Sequence, residues 1–261
     1  MSLPGWRQTS FTDDGITHVV YERGSGPGVV VLPEIPGITP EVASFAEGLV
    51  EGGYAVTLVS LFGVDGQPRS AGAILRTLGS VCIRREIALF RRGDASRLTP
   101  WLRALVRHVH AQAGGPGVGL VGMCLTGGFA IATATDGAVR AAVLSQPSQP
   151  IGWTAAHRAD LGLDAAGEAR IAERAARGEL GVFALRFTGD ALVPAARFAS
   201  LRRCLGDALT CREIPSGRGQ AHGPAAHSVL TNDARTGEGE PTAEAHRAVL
   251  AFLAVWLSTA A

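Results

Sequence analysis

The residues with the clearest chemical potential are Cys124, Asp190 and His227. Cys124 sits in Gly119-Leu120-Val121-Gly122-Met123-Cys124-Leu125-Thr126-Gly127-Gly128, where an apolar run breaks at a reactive side chain and a helical pattern follows at once. This is the arrangement of a nucleophile elbow with cysteine at the tip. A sharp strand–helix turn leaves no room for bulky neighbours, which explains the small residues. The helix N-terminus behind the thiol offers unpaired N–H groups and a positive dipole end, both of which favour a thiolate or an oxyanion. The competing reading is a buried cysteine in a Gly-rich turn, and the two readings of this segment alone are evenly matched. Thr126 stands where the usual pattern has glycine, so the helix must pack differently there. A second segment, Phe187-Thr188-Gly189-Asp190-Ala191-Leu192-Val193-Pro194, ends a strand in Gly-Asp and opens a helix after proline. It fits the acid that orients a catalytic histidine, against an ordinary Asx turn. A third holds His227 in Ala225-Ala226-His227-Ser228, with His222 five residues earlier as its rival. The residues themselves leave that choice open. The order nucleophile, acid, histidine is that of an α/β-hydrolase.

The elements that would position these groups alternate between apolar runs and helical patterns, the signature of βαβ units and a parallel sheet. Strands are predicted at Val29–Leu32, Tyr54–Leu58, Gly117–Val121, Ala141–Ser145, Leu180–Phe187 and Leu209–Ile214. Helices are predicted at Glu41–Glu51, Ile74–Phe90, Pro100–Ala113, Thr126–Ala134, Ala195–Leu205 and Ala243–Trp256. The 261 residues show no linker and no internal repeat, so they read as one α/β-hydrolase domain with helices on both faces of the sheet. With 24 basic against 23 acidic side chains, the chain gives no electrostatic case for nucleic acid or an anionic membrane. Met1–Thr12 has no apolar stretch suited to a signal peptide, and Ala248–Leu257 is too short to span a bilayer. The four cysteines have neither metal-site spacing nor disulfide-framework density. A Cys204–Cys211 bridge is conceivable, but reduced thiols in the cytoplasm are the expectation. No cofactor and no metal is implied, and the sequence sets no oligomeric state.

Four segments in order resemble the dienelactone hydrolase family, over about Val29 to Leu257. They are Glu34-Ile35-Pro36-Gly37, Gly122-Met123-Cys124-Leu125, Gly189-Asp190 with Val193-Pro194, and His227-Ser228. The resemblance selects His227 over His222. It implies a hydrolase that cleaves a small ester or lactone through a Cys124–His227–Asp190 triad and an acyl-cysteine. It further implies a Glu34 carboxylate on the Cys124 thiol, keeping it neutral at rest and taking its proton when substrate arrives. Backbone N–H groups of Ile35 and Leu125 would form the oxyanion hole. Family members that open dienelactone bind its carboxylate with arginines, and Arg84 and Arg85, near Arg91 and Arg92, are the candidates here. The competing reading of that run is a solvated helix face. Two other functions compete: a non-catalytic ligand-binding protein on the same fold, and a redox-sensing thiol. Neither needs Asp190 and His227 together.

Overall fold

The computed structural model describes residues 3–83, 97–151 and 154–258. The chain opens with an antiparallel hairpin, β1 (Arg7–Asp13) and β2 (Ile16–Arg23). Then follow β3 (Gly28–Leu32), α1 (Pro40–Glu51), β4 (Ala55–Ser60), α2 (Ala71–Ile83), α3 (Leu98–Ala113), β5 (Val118–Met123) and α4 (Leu125–Thr133). The second half runs β6 (Val139–Ser145), α5 (Ala155–Ala159), α6 (Ala165–Ala176), β7 (Gly181–Phe187), α7 (Ala195–Leu205), β8 (Leu209–Ile214) and α8 (Pro241–Leu257). The predicted strands and helices all appear, with ends shifted by a few residues. The hairpin and the α5–α6 excursion are additions. The predicted helix Ile74–Phe90 corresponds to α2 as far as Ile83; its remainder, with Arg84, Arg85, Arg91 and Arg92, lies outside the described residues.

The sheet has eight strands in the order β1-β2-β4-β3-β5-β6-β7-β8. From β4 to β8 every pairing is parallel, and β2 joins β4 antiparallel. This is the α/β-hydrolase architecture, a mostly parallel sheet covered on both faces. Alternation along β3 builds both cores. Val30 and Leu32 meet Trp101, Leu102 and Phe129 on one face, while Val29 and Val31 meet Phe45, Leu49, Val249 and Leu253 on the other. The chain leaves β3 for β4 on one side and later places β5 on the other. The order therefore reverses at β3/β5, and the crevice beyond their carboxyl ends is where open α/β sheets build sites. Among the described residues, no helix is long and apolar enough to cross a membrane.

Arg174 of α6 ties the loop after α4 into this frame. Its guanidinium is buried and donates to the carbonyls of Ala134, Asp136, Gly137, Val139 and Glu179. Burial holds its pKa below the usual arginine range, against the pull of nearby Glu179 and Asp136, and the carbonyl cage satisfies its donors. Arg174→Ala should therefore lower unfolding free energy by about 3 kcal/mol. A urea midpoint that stays in place would show the cage to be dispensable.

Candidate active site

The elbow forms because β5 must turn into α4 within one residue. Cys124 takes φ 54° and ψ −119°, a left-handed conformation rare for a side-chain-bearing residue. The neighbouring residues allow it. A Cβ on Gly122 would stand 2.5 Å from the Thr126 carbonyl oxygen and 2.6 Å from Ala130 Cβ. Thr126, the departure from the usual pattern, is fully buried and its hydroxyl is used. Its Oγ1 accepts from the Met123 N–H at 2.8 Å and lies 3.1 Å from the Leu32 carbonyl and 2.9 Å from that of Met123. The clearance glycine usually provides is shifted along the helix. A Cβ on Gly127 would lie 2.8 Å from Pro147 Cα, and one on Gly128 3.0 Å from Gln149 Cβ. Threonine thus fits by linking the ends of β3 and β5, while Gly127 and Gly128 admit the chain after β6.

The end of β7 carries Asp190, and the long loop after β8 carries His227. His227 Nδ1 lies 2.6 Å from Asp190 Oδ2, with Asp190 buried and His227 and Cys124 partly open. The Asp190 Oδ1 accepts from the Leu192 N–H at 2.9 Å, which fixes the carboxylate in its turn. His227 Nε2 is buried and has no hydrogen-bond partner among the described residues. Burial disfavours the imidazolium, but the adjacent Cys124 and Asp190 outweigh it and push the His227 pKa up to about 11. His222 lies apart from this line: it is buried against Phe187, with ring centroids 4.7 Å apart, and burial pushes its pKa down.

Glu34 differs from its sequence expectation. Among the described residues it makes no hydrogen bond to Cys124. Its carboxylate is almost fully buried and accepts from Ser228 Oγ at 2.7 Å, Gln146 Nε2 at 3.1 Å, Asn232 Nδ2 at 3.1 Å and the Thr231 hydroxyl. A carboxylate buried without a cation needs several donors, and the segment just after His227 supplies three of the four. Asp233 completes the hold on that segment. Its Oδ2 accepts from the backbone N–H of His227 at 2.9 Å and of Ser228 at 2.8 Å.

The Cys124 sulfur instead lies 3.3 Å from Ser148 Oγ. Sequence reasoning passed over Ser148, Gln146 and Asp233, because polar residues in turns carry no periodic signal. The run Gln146-Pro147-Ser148-Gln149-Pro150 at the end of a strand is the one cue available. Leu125 is the first residue of α4, so its N–H has no acceptor within its own helix. Ile35 follows Glu34 in a turn closed by the Gly37 N–H on the Glu34 carbonyl at 2.7 Å. Among the described residues no group of three His, Cys, Asp or Glu could hold a metal ion.

Sheet, elbow and loop order define a hydrolase of the α/β-hydrolase fold. The chain belongs to the dienelactone hydrolase family, whose model matches residues 17–254. Among solved structures it is similar to a dienelactone hydrolase-like promiscuous phosphotriesterase from metagenomic libraries, at 20% identity and TM-score 0.63 over 97% of this chain and 98% of the other. A dienelactone hydrolase from Anabaena variabilis is 16% identical with TM-score 0.61, over 98% of this chain and 99% of the other. A cold-adapted esterase from an Arctic intertidal metagenomic library is 17% identical with TM-score 0.55, over 95% of this chain and 93% of the other. No curated protein matches the chain.

Proposed function

We propose that the protein is a carboxylic ester hydrolase, cleaving a small ester or lactone through an acyl-cysteine on Cys124. One observation carries the reading: the Asp190–His227 pair, closed at 2.6 Å, adjoins Cys124, a cysteine held at positive φ on an elbow. In this reading His227 takes the thiol proton, and Asp190 fixes its tautomer and steadies the imidazolium. The thiolate attacks the ester carbonyl, a C–S bond forms, and the electron pair moves onto the carbonyl oxygen. The N–H groups of Ile35 and Leu125 receive that oxyanion, each worth about 3 kcal/mol if removed. The intermediate collapses, the alkoxide leaves, and His227 returns the proton to it. Water, deprotonated by His227, then attacks the thioester and expels the thiolate with the acid as product. Glu34 acts in this scheme by holding the segment behind His227, in place of the direct contact with sulfur the family resemblance implies. Arg84 and Arg85 stay the sequence candidates for the carboxylate partner of an anionic substrate.

Cys204 and Cys211 are poorer nucleophiles. Burial pushes the pKa of both Cys204 and Cys211 up, and both are free. Free thiols suit a reducing compartment, so we place the protein in the cytoplasm. Rapid mixing with 4-nitrophenyl acetate tests the function. A burst of nitrophenol equal to the enzyme concentration is expected, with an acetyl adduct mapping to Cys124, and Cys124→Ala should show neither. A folded protein with no burst and no adduct would leave the non-catalytic binding protein as the better reading.

A further inference from the structure

We propose that Ser148 is a catalytic residue of this site, its hydroxyl donating to the Cys124 sulfur and favouring the thiolate. The inference rests on the nucleophile assigned above and deepens it. The geometry is direct. Ser148 Oγ lies 3.3 Å from Cys124 Sγ, and Ser148 is 2% exposed. Among the described residues, the sulfur is this hydroxyl's one hydrogen-bond partner. A buried hydroxyl gives its proton to whatever acceptor it has, and a thiolate is a far better acceptor than a thiol.

The position of the hydroxyl is fixed from three sides. The Ser148 N–H donates to the Cys124 carbonyl at 3.0 Å, pinning the two backbones together. Gly127 lets Pro147 approach α4, as described above. Behind the turn lies Arg197 of α7, 3% exposed. It donates to the Pro147 carbonyl at 2.8 Å and the Pro150 carbonyl at 2.6 Å, which flank Ser148, and to those of Asp160 at 2.9 Å and His157 at 3.1 Å. Two of the four carbonyls held by this charged, buried side chain flank Ser148, whose hydroxyl meets the sulfur. Arg197 is accordingly a positioning residue for Ser148.

The hydroxyl acts at both ends of the reaction. Before attack it shares the sulfur charge with the His227 imidazolium. In deacylation water attacks the thioester carbonyl, the C–S bond breaks, and its electron pair returns to sulfur, where the hydroxyl again donates. A thioester sulfur is a weak acceptor, so the contact favours the charged form over the acylated one.

The test is the rate of Cys124 alkylation by iodoacetamide against pH, with the labelled peptide identified by mass spectrometry. Stabilising a thiolate raises its fraction but dulls its nucleophilicity. Ser148→Ala should therefore slow labelling at pH 6 by about threefold, while the rate at pH 10 holds or rises. Ser148→Thr, which keeps the hydroxyl, should restore the profile of the natural protein and controls for folding. Equal profiles for the natural protein and Ser148→Ala, with labelling at Cys124, would overturn the role of Ser148 alone. Labelling at another cysteine would overturn the nucleophile assignment and this proposal with it.

Discussion

Asp190→Asn should lower kcat for an activated ester by about a thousandfold to ten-thousandfold, with KM little changed. The carboxylate lies 2.6 Å from His227 Nδ1, and an asparagine there can present its amide and favour the wrong tautomer. Nε2 would then be a donor when the thiol needs an acceptor. The pH profile gives a second readout. Burial works against the imidazolium, and Cys124 and Asp190 together push the His227 pKa up to about 11. The attacking pair needs the ring protonated, so its alkaline limb lies where pH rises through the His227 value. Removing the Asp190 charge lowers that value, and the alkaline limb should move to lower pH. A variant within tenfold of the natural rate, with the limb unmoved, would remove Asp190 from the mechanism.

Glu34 separates two roles that one carboxylate could play. The structure shows it as the acceptor for Gln146, Ser228, Thr231 and Asn232. Glu34→Ala would leave those buried donors without an acceptor, and unfolding free energy should fall by about 3 kcal/mol. Glu34→Gln should fall by about 1–2 kcal/mol, since the amide puts a donor where an acceptor stood. Both should lower kcat, through looser placement of His227, and slow Cys124 alkylation at neutral pH, because the imidazolium beside the sulfur is less well held. A carboxylate acting directly on the sulfur would give the opposite pattern: urea midpoints in place and alkylation faster once its charge is removed.

The contrast between these two acids marks what the sequence made legible. Asp190 was visible because a strand, a Gly-Asp turn and a helix-starting Val193-Pro194 follow in fixed order. The buried strands were visible because Val29–Leu32 and Leu180–Phe187 are continuous apolar runs between turn residues. Glu34 was visible as a residue of interest only through the family resemblance, and its partners were not visible at all. Gln146 and Asn232 lie on different loops, and a hydrogen-bond network leaves no spacing to read. The hairpin escaped for a related reason. Arg7–Asp13 is a largely exposed edge strand with a weak apolar alternation, so neither side of it announces a core. The α5–α6 excursion is polar and rich in alanine and arginine, a composition shared by loops and surface helices. Thr126 reads as a weakness of the elbow in the sequence, which does not show that its hydroxyl meets the ends of two strands.

Arg197 has a consequence for motion. It holds Pro147 and Pro150 on one side and His157 and Asp160 on the other. Either stretch can leave only by breaking into the same guanidinium, and any carbonyl released alone stays next to a buried cation. Fraying one residue at a time is therefore penalised, and the two stretches open as a single unit. In native-state hydrogen exchange, the slowly exchanging amides of residues 147–151 and 154–160 would share one opening free energy, and Arg197→Lys, with fewer donors, would divide it into two.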